Sequence, residues 1–451
     1  MLTTSERVKK LRLWAILGLI VAVVVAIAVN RTPTSPLASV PAGMPLTPIA
    51  DAEYVARLGD CVACHSVPDG QPFSGGLKMG TPLGVIYTTN ITPDKETGIG
   101  NYTLAEFDNA VRRGVARDGR RLYPAMPYPS YAKLSDNDVK ALYDYFMRGV
   151  QPVHQANRKD ELKWPLNLRW PLALWNAVFL DDRPYRAKPA FDAVWNRGAY
   201  LVQGLGHCGS CHTPRGLAMQ EKALDEGREP YLSGAALDGW KASSLRGDLS
   251  TGLGRWTERD IVEFLKTGRN IHATVYGSMM DAFNDSTQFM SDADLAAIAR
   301  YLKTLAGRRG TERRLVAQES TTTALNAGDF SVAGSGLYFK QCGFCHGLDG
   351  RGHGQLLPPL AGNPTVIDDD PSSVLNIVLN GAGRIVTGGV PDSYRMPPFR
   401  VLLSDRDVSD LANFVRRSWG NEASAVSIEA VKSLRSSTDS TSDHVVILRM
   451  R

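Results

Sequence analysis

Five residues in fixed order, Cys-x-x-Cys-His, occur three times in this chain: at Cys61–His65, at Cys208–His212 and at Cys342–His346. Together they use all 6 cysteines. The spacing suits one job closely. Two thiols three positions apart can each add to one vinyl group of a haem, and the adjoining imidazole then lies under the iron. Cys-x-x-Cys alone also serves zinc and dithiol redox chemistry. A zinc ribbon, however, pairs two such units within roughly 15–20 residues. Here well over a hundred residues separate neighbouring motifs. A disulfide framework suits short chains that lack a core, and this chain is neither short nor rich in cysteine. The motifs therefore predict three covalently bound haem c groups. Cys61, Cys64, Cys208, Cys211, Cys342 and Cys345 are the attachment points, and His65, His212 and His346 the proximal iron ligands.

The residues around the motifs repeat as well. A short helical pattern runs into each motif, as Tyr54-Val55-Ala56-Arg57, Tyr200-Leu201-Val202-Gln203 and Leu337-Tyr338-Phe339. A loop rich in Gly and Pro follows, then a second helix. Thr103 with Glu106 and Thr257 with Asp260 read as capping boxes; the third copy opens less clearly at Ser372-Ser373. Gly114, Gly268 and Gly381 end these helices. The closing helix is the plainest repeat. Ser135, Ser291 and Ser404 each stand three residues before an acid, with two acids in the first turn. Apolar residues follow at i, i+3, i+4 and i+7: Val139, Leu142, Tyr143, Phe146; Leu295, Ile298, Ala299, Leu302; Val408, Leu411, Ala412, Val415. The layout is that of a small all-α cytochrome c domain. The predicted architecture is three of these in tandem behind an N-terminal hydrophobic helix.

What fills the iron's second axial position decides the chemistry. An open position invites oxygen, peroxide or nitrite; a methionine saturates the iron, raises its potential and leaves electron transfer. Met126 and Met396 stand in Pro-stiffened loops shortly before the serine caps, off any helical core stripe, and are the predicted distal ligands of the first and third copies. The second copy offers Met279 and Met280. Spacing cannot choose between them, and Met279 is taken here. Met290 is read as core, and Met79 as a weak rival to Met126. His207 is too close to Cys208 to reach the far face of that haem. His154, His272, His353 and His444 do not recur between copies and read as solvated or hydrogen-bonded. The proximal rings require a carbonyl or water at Nδ1; Pro359 or Pro358 is the candidate in the third copy. No repeated acid, base or nucleophile forms a catalytic pocket, so no catalytic residue is assigned.

The chain's 451 residues predict about three domains at ~150 residues each. The formal charge of +5 is concentrated at the N-terminus, where Arg7, Lys9, Lys10, Arg12 and Arg31 face only Glu6. The remainder is near neutral, and haem propionates would make it mildly acidic, which excludes a nucleic-acid surface. Behind the basic cluster, Leu13 to Val29 is a charge-free apolar run. As a helix it would span about 26 Å, just short of the hydrocarbon core. It reads as a retained anchor rather than a cleaved signal, though Ala26-Ile27-Ala28 resembles a cleavage site. Either reading exports the rest, which places the haem domains on the periplasmic face of the bacterial inner membrane.

The predicted divisions are an anchor or signal over 1–31, a Pro-rich semi-rigid tether over 32–50 and a first domain over 51–152. A Trp-rich linker follows over 153–187, then a second domain over 188–306, a polar flexible linker over 307–329, a third domain over 330–420 and a tail over 421–451. The run Trp164-Pro165-Leu166-Asn167-Leu168-Arg169-Trp170-Pro171 is expected to be buried between domains. The alternative is a surface lying in the membrane interface or against a partner. No function is read for the tail.

The chain resembles the triple-haem cytochrome c subunits of bacterial membrane-bound periplasmic dehydrogenases, the group including alcohol, aldehyde, sorbitol and gluconate dehydrogenases. The likeness covers about residues 50–420. It rests on the three motifs at these intervals, on Asn90 to Asp94 followed by Thr97-Gly98-Ile99-Gly100, and on Cys211-His212-Thr213-Pro214-Arg215. The Trp-Pro-Leu linker and the Ser-Asp-x-Asp caps also match. The resemblance implies a separate catalytic subunit of quinoprotein, flavoprotein or molybdenum type, and electrons passed through three haems to ubiquinone. It also carries over His65, His212 and His346 as proximal ligands, with Met126, Met279 and Met396 as distal ones. The N-terminal run departs from the family pattern. Two rival functions remain: a multihaem peroxidase or reductase with one open haem, and a cytochrome module attached to an oxidase.

Overall fold

Helix starts are where local chemistry decides this architecture. Thr103 and Thr257 accept a hydrogen bond from the backbone of Glu106 and Asp260, whose carboxylates reach back to complete capping boxes. Ser135, Ser291 and Ser404 likewise accept from Asp138, Asp294 and Asp407. Each such cap contributes about 1 kcal/mol. The computed structural model describes residues 14, 16–18, 33–39, 45–237, 239–308 and 316–438. It is mostly helical, as predicted. The third copy's second helix, Ser372–Asn380, begins after Pro371 without a side-chain cap.

In each copy a leading helix packs across the closing helix: Ile49–Leu58 on Asp136–Arg148, Ala193–Gln203 on Asp292–Lys303, and Ser335–Gln341 on Asp405–Arg417. The predicted stripes face inward; Val139, Leu295 and Val408 are fully buried. Burying one such aliphatic side chain stabilises by about 1.5–3 kcal/mol. The second crossing is very tight. A Cβ on Gly198 would sit 1.9 Å from the Ala297 carbonyl oxygen. Gly114 and Gly268 end their helices in the left-handed conformation as expected, whereas Gly381 has φ 72° but an extended ψ.

The cores are not three. One continuous cluster runs from Leu58, Leu134 and Val139 of the first copy to Leu201, Leu295 and Tyr301 of the second. The third copy has its own, built on Tyr338, Leu375, Leu411 and Val415. A small cluster of Val275, Met280, Phe283 and Ile385 joins the second to the third.

Several expectations need correcting. The fold is not purely helical: among the described residues three small antiparallel sheets occur. Lys78–Thr81 pairs with Gly84–Tyr87, which also takes Glu161–Leu162; Ala235–Leu237 pairs with Trp240–Ala242; Val386–Thr387 pairs with Val390–Pro391. The Pro-rich stretch touches the first copy where it is described. Pro36–Ser39 makes one 3-10 turn that buries Leu37 in the first core, and Asn109 donates to the Pro33 carbonyl (3.0 Å). The second linker is not loose over its described part, because the helix Ser320–Asn326 inserts Leu325 into the third core. Nor are the linker tryptophans buried: Trp164 is 78 % and Trp170 47 % exposed. Only Trp175 bridges, donating from Nε1 to the Ala218 carbonyl (2.8 Å) while its ring edge meets Tyr128.

The tail is built as well over its described part, to residue 438. Ile428–Ser437 is a helix against the third copy. The fully buried Arg416 donates to the carbonyls of Val366 and Asp368 (2.9 and 2.8 Å) and to Ser424. The apolar run Leu13–Val29 lies for the most part outside the described residues. Among the described residues no helix is long and apolar enough to cross a membrane.

Candidate cofactor sites

Each motif forms one helical turn, Cys61–His65, Gly209–His212 and Gly343–His346. At 3.6 residues per turn, thiols three apart share a face, with the histidine one step on. The three imidazoles then do the same thing. His65 donates its Nδ1–H to the Thr89 carbonyl (2.7 Å), His212 to Ser243 (2.7 Å) and His346 to Pro358 (3.1 Å). A carbonyl only accepts, so the proton sits on Nδ1 and Nε2 keeps its lone pair. Burial lowers the pKa of all three rings, against the raising effect of that hydrogen bond. The rings are therefore neutral at pH 7, the form a metal needs. Of the two prolines considered for the third copy, Pro358 is the acceptor.

Backbone geometry holds this arrangement. In the first two copies a β ribbon ends just before the accepting residue: Gly84–Tyr87 leads to Thr89, and Trp240–Ala242 to Ser243. The histidine's own carbonyl accepts from a glycine in every copy: Gly75 (2.8 Å), Gly234 (2.8 Å) and Gly352 (2.9 Å). All three have positive φ, and a Cβ on each would press on the accepting segment, reaching 2.4 Å from Thr89 C, 3.3 Å from Ser243 C and 2.7 Å from Pro358 O. Sequence reasoning missed these glycines. Their distance from the motif differs in each copy, so no fixed spacing betrays them.

Burial also acts on the thiols. Burial, reinforced by Asp60 for Cys61 and by the neighbouring cysteine for the other two, pushes Cys61, Cys208 and Cys342 up to about 12. At pH 7 these three are thiols in the metal-free chain. Among the described residues no group of three or more His, Cys, Asp or Glu is placed to hold a metal ion.

The third site is an open cradle. A cavity of about 250 Å³ is lined by Cys342, Cys345, His346 and Met396 with apolar Leu357, Phe399 and others. That is the chemistry a haem needs: two thiols, an imidazole and a thioether in an apolar wall. The second copy supplies part of this wall through Ala273–Tyr276. Met126 is partly buried against the first core. Met280 is 1 % exposed, inside the small joining cluster, and Met279 beside it is partly buried. Met290 is core, and Met79 lies on the first ribbon opposite Ile86. The other histidines have ordinary partners. His272 stacks on Trp256 and pairs with Asp260, His154 faces Asp94, and His353 contacts the Phe344 carbonyl. His207 donates to Leu205 O, and His444 lies outside the described residues.

The first and second sites adjoin. The helix Met279–Asp285 packs on the first motif turn. The Cys64 thiol is raised chiefly by burial, then by Asp60, then by Cys211 of the next copy. Tyr131 donates to Gly59 O (2.6 Å), and its ring meets His207 at 5.5 Å. Around the third motif the surface is open, with Phe344 94 % exposed and Cys345 exposed.

The Cytochrome c family matches residues 196–306 and 331–419. Across 389 residues the chain is 52 % identical to the gluconate 2-dehydrogenase cytochrome c subunit of Pantoea cypripedii, covering 85 % of this chain and 88 % of that one. It is 49 % identical to the cytochrome c subunit of the quinone alcohol dehydrogenase of Gluconobacter oxydans (strain 621H), over 86 % of this chain and 82 % of the relative. The fructose dehydrogenase cytochrome subunit of Gluconobacter japonicus is 36 % identical over 90 % and 86 %.

Proposed function

Because the chain belongs to the family of dehydrogenase cytochrome c subunits, we propose that it is the electron-transfer subunit of a membrane-bound periplasmic dehydrogenase. It carries three haem c groups, one in each of three cytochrome c domains, and passes electrons from a catalytic subunit to ubiquinone. The partner's cofactor is a quinone, flavin or molybdenum centre. The observation that carries this reading is the threefold repetition of a neutral imidazole fixed at Nδ1 by a backbone carbonyl beside two cysteines.

Cys61, Cys64, Cys208, Cys211, Cys342 and Cys345 would hold the porphyrins. His65, His212 and His346 would bind iron from one side, and Met126, Met279 and Met396 from the other. Met280 is committed to the joining cluster, which supports Met279. The haem iron supplies one-electron chemistry. The protein's part is to fix each imidazole, to exclude water with apolar walls and to saturate the iron.

The membrane side of the reading is supported by the apolar run Leu13–Val29 and by the exposed Trp164 and Trp170, since tryptophan favours the lipid interface. Removing residues 1–30 behind a cleavable signal is expected to release the protein from the membrane; retention would shift attachment to the Trp-rich segment or to the partner.

A pyridine haemochrome assay with iron analysis tests the centre of the proposal. Three haems and three irons per mature chain are expected. Zinc, or fewer than three irons, overturns it. A carbon monoxide band of substantial intensity in the reduced protein would replace the relay with an open-haem enzyme, and co-purification of an oxidase would replace the dehydrogenase partner.

A further inference from the structure

The closing helix of the third copy starts with a self-contained capping box. Ser404 Oγ accepts from the Asp407 N–H (3.2 Å), and the Ser404 N–H donates to the Asp407 carboxylate (2.9 Å). The first two copies keep the serine half of this device and replace the other half. The Ser135 N–H donates to the Tyr200 hydroxyl (3.1 Å), which donates to the Asp138 carboxylate. The Ser291 N–H donates to the Tyr54 hydroxyl (3.0 Å), which donates to Asp294 (2.7 Å). Tyr54 belongs to the first leading helix and Tyr200 to the second. Each copy thus lends one phenol to the other's helix cap, a reciprocal exchange.

The third copy cannot join such an exchange. Gly198 and Gly334 mark the same point in their copies, the closest approach of leading helix to closing helix. Gly198 faces the Ala297 carbonyl, Gly334 that of Asp410, and each of these stands three residues past the capping acid. Counting from there, Gly336 occupies the place of Tyr200 and has no side chain. Besides the two exchanged phenols, the interface holds both motif regions, with Met279–Asp285 on Cys61–His65 and Tyr131 touching Gly59 and His207.

We propose that Tyr54 and Tyr200 are positioning residues that lock the first two haem sites into one electron-sharing pair and leave the third site outside it. The proposal rests on the three-haem reading above. Within the pair, one electron leaves a ferrous iron and is taken up by its ferric neighbour, with no other reactant. Distance, orientation and the difference in potential between the two irons set that exchange. The interface the two phenols close fixes distance and orientation.

The test uses the full-length, haem-loaded protein with Tyr54→Phe, Tyr200→Phe and the double change, each keeping the ring and losing the hydroxyl. Tyr143→Phe is the control, since its hydroxyl bonds to Tyr102 O within one copy. Haem content is measured first, and a wild type with fewer than three haems defeats the underlying reading rather than the clamp. Ferric electron paramagnetic resonance and a potentiometric titration follow. Wild type is expected to show mutual broadening of two of the three signals. The double variant is expected to lose it, and two steps of its titration to move while the third stays. Because both changes act on one interface, their effects should not add. The control should leave both readouts alone. Three haems with unchanged spectra and titration in the double variant would overturn the proposal even if its melting temperature fell, as would a wild type without mutual broadening. If the double variant loses a haem, Asp294→Asn, which keeps both phenols and weakens one acceptor, is read in the same way.

Discussion

The first two copies of the repeat share one core, whereas the third folds around its own. All three have the same motif turn, the same Nδ1-to-carbonyl contact and the same serine cap. What differs lies outside the motif: a tyrosine in two leading helices and a glycine in the third. The third is joined to the second by the Val275–Ile385 cluster, by the part of its cavity wall that the second copy supplies and by many polar contacts. Tyr276 bonds Thr365 (3.0 Å), the Lys241 N–H donates to Ser373 (2.8 Å), and Arg269 pairs with Asp392. One repeated sequence plan has therefore been assembled in two ways, by fusion and by docking. At the helix crossing the two ways differ by Tyr54 and Tyr200 against Gly336.

The sharpest way to break this comparison is to remove attachment points on either side of it. Cys342→Ala with Cys345→Ala should leave two haems per chain and an intact first core. Cys208→Ala with Cys211→Ala should cost more than one haem's worth of order, because that site shares its core with the first. Haem assay and proteolysis report both, and equal damage would mean the fusion is only apparent. Next in size, Gly198→Val forces a branched side chain onto the Ala297 carbonyl and should destabilise the fused pair by about 3 kcal/mol or more. Denaturant unfolding measures it, and a change under ~1 kcal/mol would mean that the crossing relaxes freely.

A smaller effect is expected from Ser404→Ala, about 1 kcal/mol confined to the third copy, with the first two melting as before. The smallest concerns pH. Burial raises the Asp294 pKa, but hydrogen bonds from Arg197 and Tyr54 outweigh it and leave the carboxyl below its ordinary value. Its contribution is thus complete above an unfolded pKa of about 4 and is lost as pH falls through the lower folded value. Melting of the fused pair followed from pH 5 to pH 3 should fall, and Asp294→Asn should flatten that slope.

Much of this was legible in the chain. Caps and apolar stripes gave the helices, because both are local and repeat in register. The Cys-x-x-Cys-His sets were read from spacing, which could not choose between Met279 and Met280. What stayed hidden depends on contacts between distant residues. Gly75, Gly234 and Gly352 serve one role at three different separations from their histidines, so periodicity cannot find them. The linker tryptophans were expected inside on hydrophobicity, yet Trp164 and Trp170 face outward, and only the path of the chain past Tyr123 and Asn176 settles that. The segment before the third copy looked merely polar, and one residue, Leu325, ties it down.

Arg416 carries a consequence for anyone cutting this chain. Its guanidinium is sealed inside the third copy and leans on Ser424 for part of its neutralising shell. A boundary placed at 420 would strip those oxygens from a cation that water cannot reach, and such uncompensated charge is costly. A piece that keeps this cation satisfied must reach past Ser424, and one that keeps the Thr438 contacts of Arg400 must include residue 438.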